Sequence, residues 1–260
     1  MSVTTRSSTH QILLSSGLLA IAGSIASADV LEVESFHVGA FYSTPVGGMP
    51  LIPDNDMSFQ NYFMGHTTVD GFTTTERRTF FGFELADLAI PDGHSIVSVS
   101  FELELVGGGL IANFADGFED VIFTSTTSDY ATFADPMGSG ISLDEIFDSM
   151  GTGEDYASVI IDAITPPDTI SMDMSLTAIE HMMDSMADDT PFMMTGMLAT
   201  YDPDPGALFE FVFGLSDVVD DGMPTGFPVP KLVITTEPVP APSSLVLLAG
   251  GLMIGNRRRR

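Results

Sequence analysis

Residues 97–105 alternate strictly between apolar and polar side chains, and this pattern constrains the fold more than any other stretch of the sequence. The apolar positions are Val97, Val99, Phe101, Leu103 and Leu105. An apolar side chain at every second residue gives a strand one buried face and one face in water, which is typical of an antiparallel sheet. The run Pro91-Asp92-Gly93 lies just before this strand and predicts a turn.

Other short stretches have the same strand character, and Gly, Pro and Asp residues separate them. They lie at residues 31–38, 79–85, 121–124, 158–164, 192–198, 209–213 and 231–236. Many short strands with such turn residues favour a β-sandwich or jelly roll over a fold that alternates strands with helices. We therefore expect a mostly β chain with a single antiparallel β-sandwich or jelly-roll domain over residues 29–236.

Two short helices are expected inside this domain. Ser142 and Glu145 have the spacing of a capping box, and Gly151 stands where a helix commonly ends. Ser175 can cap a second helix. The residues predicted to share the apolar face of that helix are Leu176, Ile179, Met183 and Met186.

Residues 1–28 have the three parts of an export signal. Arg6 supplies a positive charge, residues 12–25 are mostly apolar or small, and Ala26-Ser27-Ala28 places small side chains where signal peptidase cleaves. Cleavage after Ala28 makes Asp29 the first residue of the mature protein. The alternative is a buried N-terminal helix, which fits the polar flanks and the small-residue end less well.

Residues 237–260, at the other end, combine a proline-rich stretch, an apolar run and a basic end. The prolines favour an extended backbone, and the apolar run covers residues 245–255. At about 1.5 Å per residue this run is shorter than a bilayer core of about 30 Å, so its flanks must contribute to any membrane span. The four terminal arginines favour the cytoplasmic side of the membrane. A buried core helix is the alternative, but the adjoining all-arginine end argues against burial.

This ending resembles the PEP-CTERM sorting signal, which has a Pro-Glu-Pro-like box, a short transmembrane helix and a terminal basic cluster. Here the box reads Pro240-Ala241-Pro242, with Ala where the family has Glu. The residues that carry the resemblance are Val239, Pro240, Ala241, Pro242, Ser243, Ser244, Arg257, Arg258, Arg259 and Arg260. The resemblance implies a transient anchor in the inner membrane, processing by an exosortase, and export to the cell envelope or extracellular surface.

The interior carries a second resemblance. Four features follow one another along the chain. They are an arginine followed by an aromatic strand at residues 77–85, the Pro91-Asp92-Gly93 turn, the strand at residues 95–103 and a closing strand at residues 230–235. This order is similar to bacterial secreted jelly-roll domains related to carbohydrate-binding modules. It implies a jelly-roll fold and extracellular polysaccharide as a partner. No binding residue is transferred, since Val99 or Ser100 stands where that family's strand motif has alanine.

The charge of the chain excludes several classes of partner. Between Asp29 and Glu237 there are 36 acidic and 3 basic side chains, a net charge of −33. Nucleic acids and anionic membrane surfaces are themselves negative, so neither is an expected partner of the domain. The chain has no cysteine, which excludes disulfides, cysteine-ligated zinc and thiol chemistry.

Acidic side chains also raise the question of catalysis. Glu102 and Glu104 project from one strand face, with Glu84 on another strand, and paired carboxylates can hydrolyse glycosides. However, acidic residues fill most polar positions of this chain, so a solvated strand face is the simpler explanation. The sequence contains no GxSxG, HExxH or Gly-rich phosphate-binding motif. We expect a protein that is not an enzyme.

Metal binding is the other chemistry considered. Short oxygen-rich loops can hold calcium, which takes about six to eight oxygen ligands. The candidate ligands are Asp54, Asp56, Asp116 and Asp120. A hydrated acidic surface is the alternative explanation for these loops. Eight methionines between Met172 and Met197, together with His181, suit Cu(I) in principle, but methionine also packs cores readily, and we prefer that interpretation.

These observations lead to one expectation and one alternative. The chain is expected to be an exported, exosortase-sorted envelope or extracellular-matrix protein with a structural or interaction role. The alternative is a carbohydrate- or calcium-dependent binding module for extracellular polysaccharide.

Overall fold

Strands form most of the described chain. The computed structural model of the protein describes residues 28–43, 60–69, 72–104, 110–113, 117–162, 169–199, 209–216 and 228–239. The strands in these ranges are β1 (Asp29–Ser43), β2 (Gln60–Val69), β3 (Phe72–Phe83), β4 (His94–Glu104), β5 (Leu110–Asn113), β6 (Phe118–Thr124), β7 (Asp155–Asp162), β8 (Thr169–Asp173), β9 (Phe192–Leu198), β10 (Phe209–Ser216) and β11 (Lys231–Pro238). The helices are α1 (Tyr130–Ala134), α2 (Leu143–Ser149) and α3 (Leu176–Asp188). The expectation of a mostly β, antiparallel chain is confirmed.

Strand β1 joins the two halves of a nearly closed sheet. Its first part pairs with β11, from Asp29 opposite Thr236 to Glu34 opposite Lys231. Its second part pairs with β3, and the register shifts just after Ser35. Such a β-bulge bends a strand and increases its twist. The buried Ser35 hydroxyl lies 2.9 Å from the Gly82 carbonyl oxygen and so ties the bend to β3.

All strand pairs in the described ranges are antiparallel. The first half of the sheet has the order β8-β4-β11-β1. In the second half, the far edge of β3 is shared between two strands. Its beginning pairs with β2, which continues to β10 and β5, and its end pairs with β9, which continues to β6 and β7.

The main hydrophobic core contains apolar side chains from both halves of this sheet. Phe101 of β4 is central, because its ring lies 5.1 Å from that of Phe81 on β3 and 5.2 Å from that of Phe123 on β6. Rings at such tilted angles add about 0.5–1.5 kcal/mol per pair to the effect of burial. The two halves are therefore held together by a shared aromatic centre.

A second, smaller core contains residues of β1, β3 and β9 together with α1 and α2. Phe80 of β3 stacks on Phe133 of α1 with 4.8 Å between ring centroids. Arg78 places its guanidinium 4.4 Å from the Phe147 ring and donates hydrogen bonds to the carbonyl oxygens of Phe147 and Met150. These carbonyls end α2, where a cation is favourable. The adjacent residues Phe80 and Phe81 of β3 thus belong to different cores.

The prediction for β4 is confirmed in its centre and wrong at one end. Val99, Phe101 and Leu103 are almost completely buried. Val97, which was expected on the same buried face, is 44% exposed. The register with β11 shifts at this point, so Val97 is an extra residue in a bulge and Ile96 packs against the core instead.

Helix α2 follows the sequence prediction closely. The Ser142 hydroxyl accepts from the Glu145 backbone N–H, and the Glu145 carboxylate accepts from the Ser142 N–H, so the capping box is confirmed. Gly151 follows the C-cap with φ of +82°, a conformation that glycine adopts at little cost. The short helix α1, which the sequence did not indicate, begins at the N-cap Asp129.

Helix α3 is present where expected, with Ser175 as its N-cap. The predicted apolar face is confirmed for Ile179, which is buried, and for Met186, which packs against the main core, but it is wrong for Leu176 and Met183, which are 77% and 54% exposed. Ala178 and Met182 are buried beside Ile179, so the buried face is rotated from the predicted one.

The N-cap explains this rotation of α3. The Ser175 N–H donates to the Tyr156 carbonyl oxygen at 2.7 Å, and its hydroxyl donates to that of Asp155 at 3.0 Å. These bonds fix the start of α3 on β7 and so determine which side of the helix meets the core.

Candidate functional site

An open groove of about 960 Å³ lies where four segments of the chain meet. The segments are the loop between β6 and α1, the turn before β7, the second half of α3 and the residues just before β9. Ligand pockets typically have volumes of about 300–1,000 Å³. The groove therefore has room for a ligand larger than a single small molecule such as an amino acid.

Tyr156 and His181 lie at the base of the groove. The Tyr156 hydroxyl oxygen is 2.7 Å from His181 Nδ1, and the Tyr156 ring stacks on Phe192 with 5.4 Å between centroids. Tyr156 is only 3% exposed. Burial raises the pKa of its hydroxyl, and hydrogen bonding with Ser125 offsets part of that rise. The phenol therefore stays protonated at neutral pH and can donate to the imidazole.

One wall of the groove is rich in hydroxyl groups. Ser149, at the end of α2, lies behind this wall, and its Oγ is 2.8 Å from Ser128 Oγ and 3.2 Å from Thr126 Oγ1. Ser149 also donates to the Ile146 carbonyl oxygen at 2.7 Å. This network holds the loop after β6 against α2 and presents hydroxyl groups that can both donate and accept.

Tyr130 lies beside this wall and belongs to both the groove and the second core. Its ring lies 4.9 Å from that of Phe36 and 5.7 Å from that of His37. Burial is the largest cause of the raised pKa of its hydroxyl, and the nearby Glu84 carboxylate adds to it. Tyr130 therefore offers the groove a half-buried aromatic side chain whose position is fixed by packing.

Three carboxylates line the same groove: Asp129, Glu154 and Asp184. All three residues are exposed. The lining residues that the structure describes include no Lys or Arg. The electrostatic potential in the groove is therefore negative, and hydrogen-bonding neutral or cationic ligands suit it better than anions.

Sequence reasoning did not identify this groove. Tyr130 and Tyr156 are among the five tyrosines of the chain, and His181 stood out only as a neighbour of methionines. The strongest signal was a run of hydroxyl and acidic residues at 124–129, directly after a strand. Such a run on a loop often marks a binding surface, but the partners from α3 and β7 are distant in sequence.

Of the three carboxylates considered for catalysis, Glu102 and Glu84 have described contacts. Glu102 and Glu32 lie 3.6 Å and 3.1 Å from Lys231 Nζ, so both belong to a surface ion-pair cluster. Glu84 is exposed beyond the end of β3, and its carboxylate accepts from the Ala86 N–H. Glu104 lies at the last position of β4.

Of the predicted calcium ligands, only Asp120 lies within the described residues. It is an exposed residue of β6, opposite Ile160 of β7. Asp54, Asp56 and Asp116 lie outside those residues. The described part of the chain contains no group of three or more His, Asp or Glu side chains that could hold a metal ion. The calcium prediction therefore stays a prediction.

The Met-rich segment lies largely in the main core. Met172, Met174, Met182 and Met194 are buried there, while Met193 is buried in the second core. His181 Nδ1 is engaged by Tyr156. The packing interpretation of these methionines is therefore confirmed for these five buried side chains.

The residues predicted to direct export and sorting lie almost entirely outside the described ranges. Ala28 is the first described residue and Val239 is the last, and both are exposed. Ala26 and the sorting residues after Val239 are outside. Among the helices that the structure describes, none has the length and apolar character needed to span a bilayer.

The buried pair His66 and Glu210 is a second polar site. His66 Nε2 and Glu210 Oε2 lie 2.8 Å apart, and these side chains are 1% and 3% exposed. Burial lowers the pKa of His66, and the carboxylates of Glu210 and Glu76 oppose this shift. Because the pair is enclosed within the sheet, it is suited to stabilising the fold rather than to meeting a ligand.

Comparison of the sequence with protein-family models gave no match, and comparison with curated proteins gave no significant relative.

Proposed function

We propose that this chain is an exported, exosortase-sorted protein of the cell envelope or extracellular matrix with a structural or interaction role, and that it is not an enzyme. The observation that carries the proposal is the order of features at the C-terminus. Three features follow one another there: a Pro-Ala-Pro box, an apolar run at residues 245–255 and four terminal arginines, with only Ser243-Ser244 and Asn256 between them. An anchor followed by positive charge favours a short cytoplasmic tail before processing.

The positions of the two ends of the domain support this proposal. Asp29, which signal cleavage after Ala28 would leave as the first residue, opens β1 and lies opposite Thr236 of β11. Val239, just after β11, is 54% exposed. Both proposed processing segments therefore adjoin the same end of the domain, and the C-terminal segment begins within the last two residues of β11.

We also propose that the domain is a β-sandwich of the jelly-roll type. The main core supports this, because it brings the side chains of β4 and β11 against those of β3, β6 and β9. The bend of β1 at Ser35 supplies the corner that such a fold requires.

Mass spectrometry of both ends of the exported protein tests the sorting proposal. We expect a mature N-terminus at Asp29 and a C-terminus upstream of the apolar run. Deleting residues 245–260 should abolish C-terminal processing and change localisation. Replacing the four arginines by lysines, which keeps the charge, is the matched control. An exported protein that retains Arg260 contradicts the proposal.

A second function is favoured by the groove: binding of extracellular polysaccharide. Saccharides present many hydroxyl groups, which pair with the hydroxyls and carboxylates that line the groove. Tyr130 adds an aromatic surface for the apolar faces of sugar rings. Calcium dependence is part of this proposal because the acidic segments that contain Asp54, Asp56, Asp116 and Asp120 can supply oxygen ligands.

A polysaccharide pull-down with and without calcium tests this function. Thr127 is an exposed lining residue, and Thr127→Trp should obstruct the groove and reduce retention. Ser171→Trp, at an exposed position of β8 outside the groove, is the matched control and should retain binding. Equal retention of the two variants contradicts a role for the groove.

A further inference from the structure

The groove is a polar cavity whose described lining includes three carboxylates and no Lys or Arg. Its base is the enclosed Tyr156–His181 pair and its wall presents the serine and threonine hydroxyls. Its three carboxylates come from three separate parts of the fold: the N-cap of α1, the turn before β7, and α3. Side chains from separate elements that converge on one cavity can surround a ligand rather than merely cover a surface.

Asp129 is held in place by its capping role. Its Oδ1 accepts from the Thr132 backbone N–H at 2.9 Å and from the Thr132 hydroxyl at 2.7 Å. These hydrogen bonds lower the pKa of the Asp129 carboxyl, so the group is ionised over the whole neutral range. Both bonds to Thr132 use Oδ1, and the exposed carboxylate faces the groove, where it can meet a ligand.

Glu154 and Asp184 are positioned by their backbones. The Glu154 N–H donates to Ser125 Oγ at 2.8 Å, and the Ser125 N–H donates to the Glu154 carbonyl oxygen at 2.9 Å. Asp184 lies one helical turn after His181 on α3, so both side chains lie on one side of the helix. The groove thus has a fixed frame, with its carboxylates on the N-cap of α1, the turn before β7 and α3.

These carboxylates have no Lys or Arg beside them, as is true of most carboxylates in this acidic domain. Two of the basic side chains are paired elsewhere, Arg78 with Glu76 and Lys231 with Glu32 and Glu102. Within the described ranges, no Lys or Arg forms an ion pair with a carboxylate of the groove. What sets the three apart is that they line one groove, where a cationic ligand can contact them together.

We propose that the groove selects saccharides that carry protonated amines, such as a polymer of glucosamine, over neutral and anionic saccharides. The proposal rests on the polysaccharide-binding function stated above and names its ligand class. The hydroxyl wall and Tyr130 meet features that all three kinds of saccharide share. The carboxylates attract a protonated amine, and they do so more strongly than a neutral hydroxyl at the same ring position, whereas they repel a carboxylate there.

The expected preference is moderate, because the three carboxylates are exposed. Exposed ion pairs are individually weak, and three of them together correspond to about a tenfold tighter binding at low salt. The preference should fall as salt is added, since the Debye length shortens from about 10 Å at about 0.1 M to about 3 Å at about 1 M.

The experiment measures calorimetric binding of three hexasaccharides to the chain expressed from its full-length coding sequence. The probes are hexamers of glucosamine, glucose and glucuronic acid, at about pH 6, where an aliphatic amine is protonated. We expect about tenfold tighter binding of the glucosamine hexamer than of the glucose hexamer, and the weakest binding for the glucuronic acid hexamer.

Two triple variants of equal net charge separate the groove from the charge of the whole domain. The first neutralises the groove with Asp129→Asn, Glu154→Gln and Asp184→Asn, and asparagine retains N-cap ability at position 129. The second neutralises three exposed carboxylates outside the groove with Glu34→Gln, Asp87→Asn and Asp173→Asn. The first should lose the preference for the amine and keep binding of the glucose hexamer, whereas the second should keep both.

Each outcome supports or overturns a defined statement. Equal loss of the preference in both triple variants overturns the amine proposal, since the charge of the whole domain then accounts for it. Equal binding of the glucosamine and glucose hexamers by the unaltered chain also overturns it, but leaves polysaccharide binding in place. If the chain binds none of the three hexamers, the polysaccharide-binding function itself fails.

Discussion

The hydrogen bond between Tyr156 and His181 gives the sharpest prediction at the scale of a residue. Tyr156→Phe removes the hydroxyl, which lies 2.7 Å from His181 Nδ1, but keeps the ring stacked on Phe192. Since the imidazole and Ser125 then both lose the hydroxyl as a partner, we expect the free energy of unfolding to fall by about 1–2 kcal/mol. Chemical denaturation measures this loss.

Tyr130→Phe is the matched control for that change. The Tyr130 hydroxyl also lies in the groove, but the described contacts of its ring are with Phe36 and His37 rather than through a hydroxyl bond. Its removal should change the unfolding free energy by less than about 0.5 kcal/mol. Equal losses in the two variants would show that the bond to His181 adds nothing.

His66 predicts how stability depends on pH. Burial lowers the pKa of His66 in the folded protein below the value of about 6.5 in an unfolded chain. As the pH falls below about 6.5, the unfolded state therefore takes up the proton first. The contribution of His66 is fully present above that pH and is lost as the pH falls toward the lower, folded-state pKa.

Urea denaturation between about pH 7.5 and about pH 5.5 tests this dependence, because most carboxylates stay ionised in that range. His66→Gln should flatten the fall in stability within this window. His94→Gln, at a position on β4 outside the buried pair and 3.8 Å from the Asp29 carboxylate, is the control and should leave most of the fall in place. A slope that survives in His66→Gln contradicts the role of the buried pair.

At the scale of an element, the end of α2 is the most constrained point. Gly151 has φ of +82°, and a Cβ there would collide with the Met197 sulfur. Gly140 has φ of +76°, but a Cβ there would meet nothing within 4 Å. An alanine at either position would pay the conformational cost of a left-handed residue, which is of the order of 1 kcal/mol. Only an alanine at position 151 would also collide with a neighbour.

We therefore expect Gly151→Ala to lower the melting temperature clearly more than Gly140→Ala does. The difference between the two variants isolates the contact of α2 with Met197 on β9. Thermal unfolding followed by circular dichroism measures it. Equal melting temperatures would show that the Met197 side chain moves aside without cost.

The elements also show how far the sequence predicts this fold. Patterns confined to a few neighbouring residues succeeded, as in the capping box of Ser142 and the centre of β4. Predictions failed where contacts between residues distant in sequence determine which side chains are buried. The pairing of β4 with β11 places a bulge at Val97, and the bonds of Ser175 to β7 rotate α3 so that Met183 faces solvent.

The groove was beyond sequence reasoning for the same reason. The hydroxyl run after β6 is visible in the sequence, but its pairing with Ser149 depends on α2 folding back on that loop. Tyr156 and His181 are brought together only when α3 packs beside β7. No local pattern encodes the approach of these elements.

The net charge governs the behaviour of the whole molecule. With −33 between Asp29 and Glu237, self-repulsion should destabilise the compact state at low salt. We expect the melting temperature to rise with sodium chloride concentration, because salt screens exposed charges. Chloride is the better test salt, since sulfate stabilises proteins by exclusion from their surface. A melting temperature that is flat across salt contradicts this expectation.

Calcium can be distinguished from general screening in the same measurement. At matched ionic strength, a bound calcium ion should raise the melting temperature further than sodium chloride does, because it stabilises the folded state by binding. Magnesium is the control, since it requires a stricter geometry than calcium. Identical shifts for calcium and sodium chloride would leave the acidic loops as a hydrated surface.

The pairing of Asp29 with Thr236 has a mechanical consequence. The chain enters β1 and leaves β11 side by side, in antiparallel register. A force that pulls the two ends apart therefore loads the hydrogen bonds between these strands one after another, as a zipper opens, instead of all together. Tension between an anchored C-terminus and the opposite end should open this domain from β1 and β11, at a small force, before the aromatic core around Phe101 is disturbed.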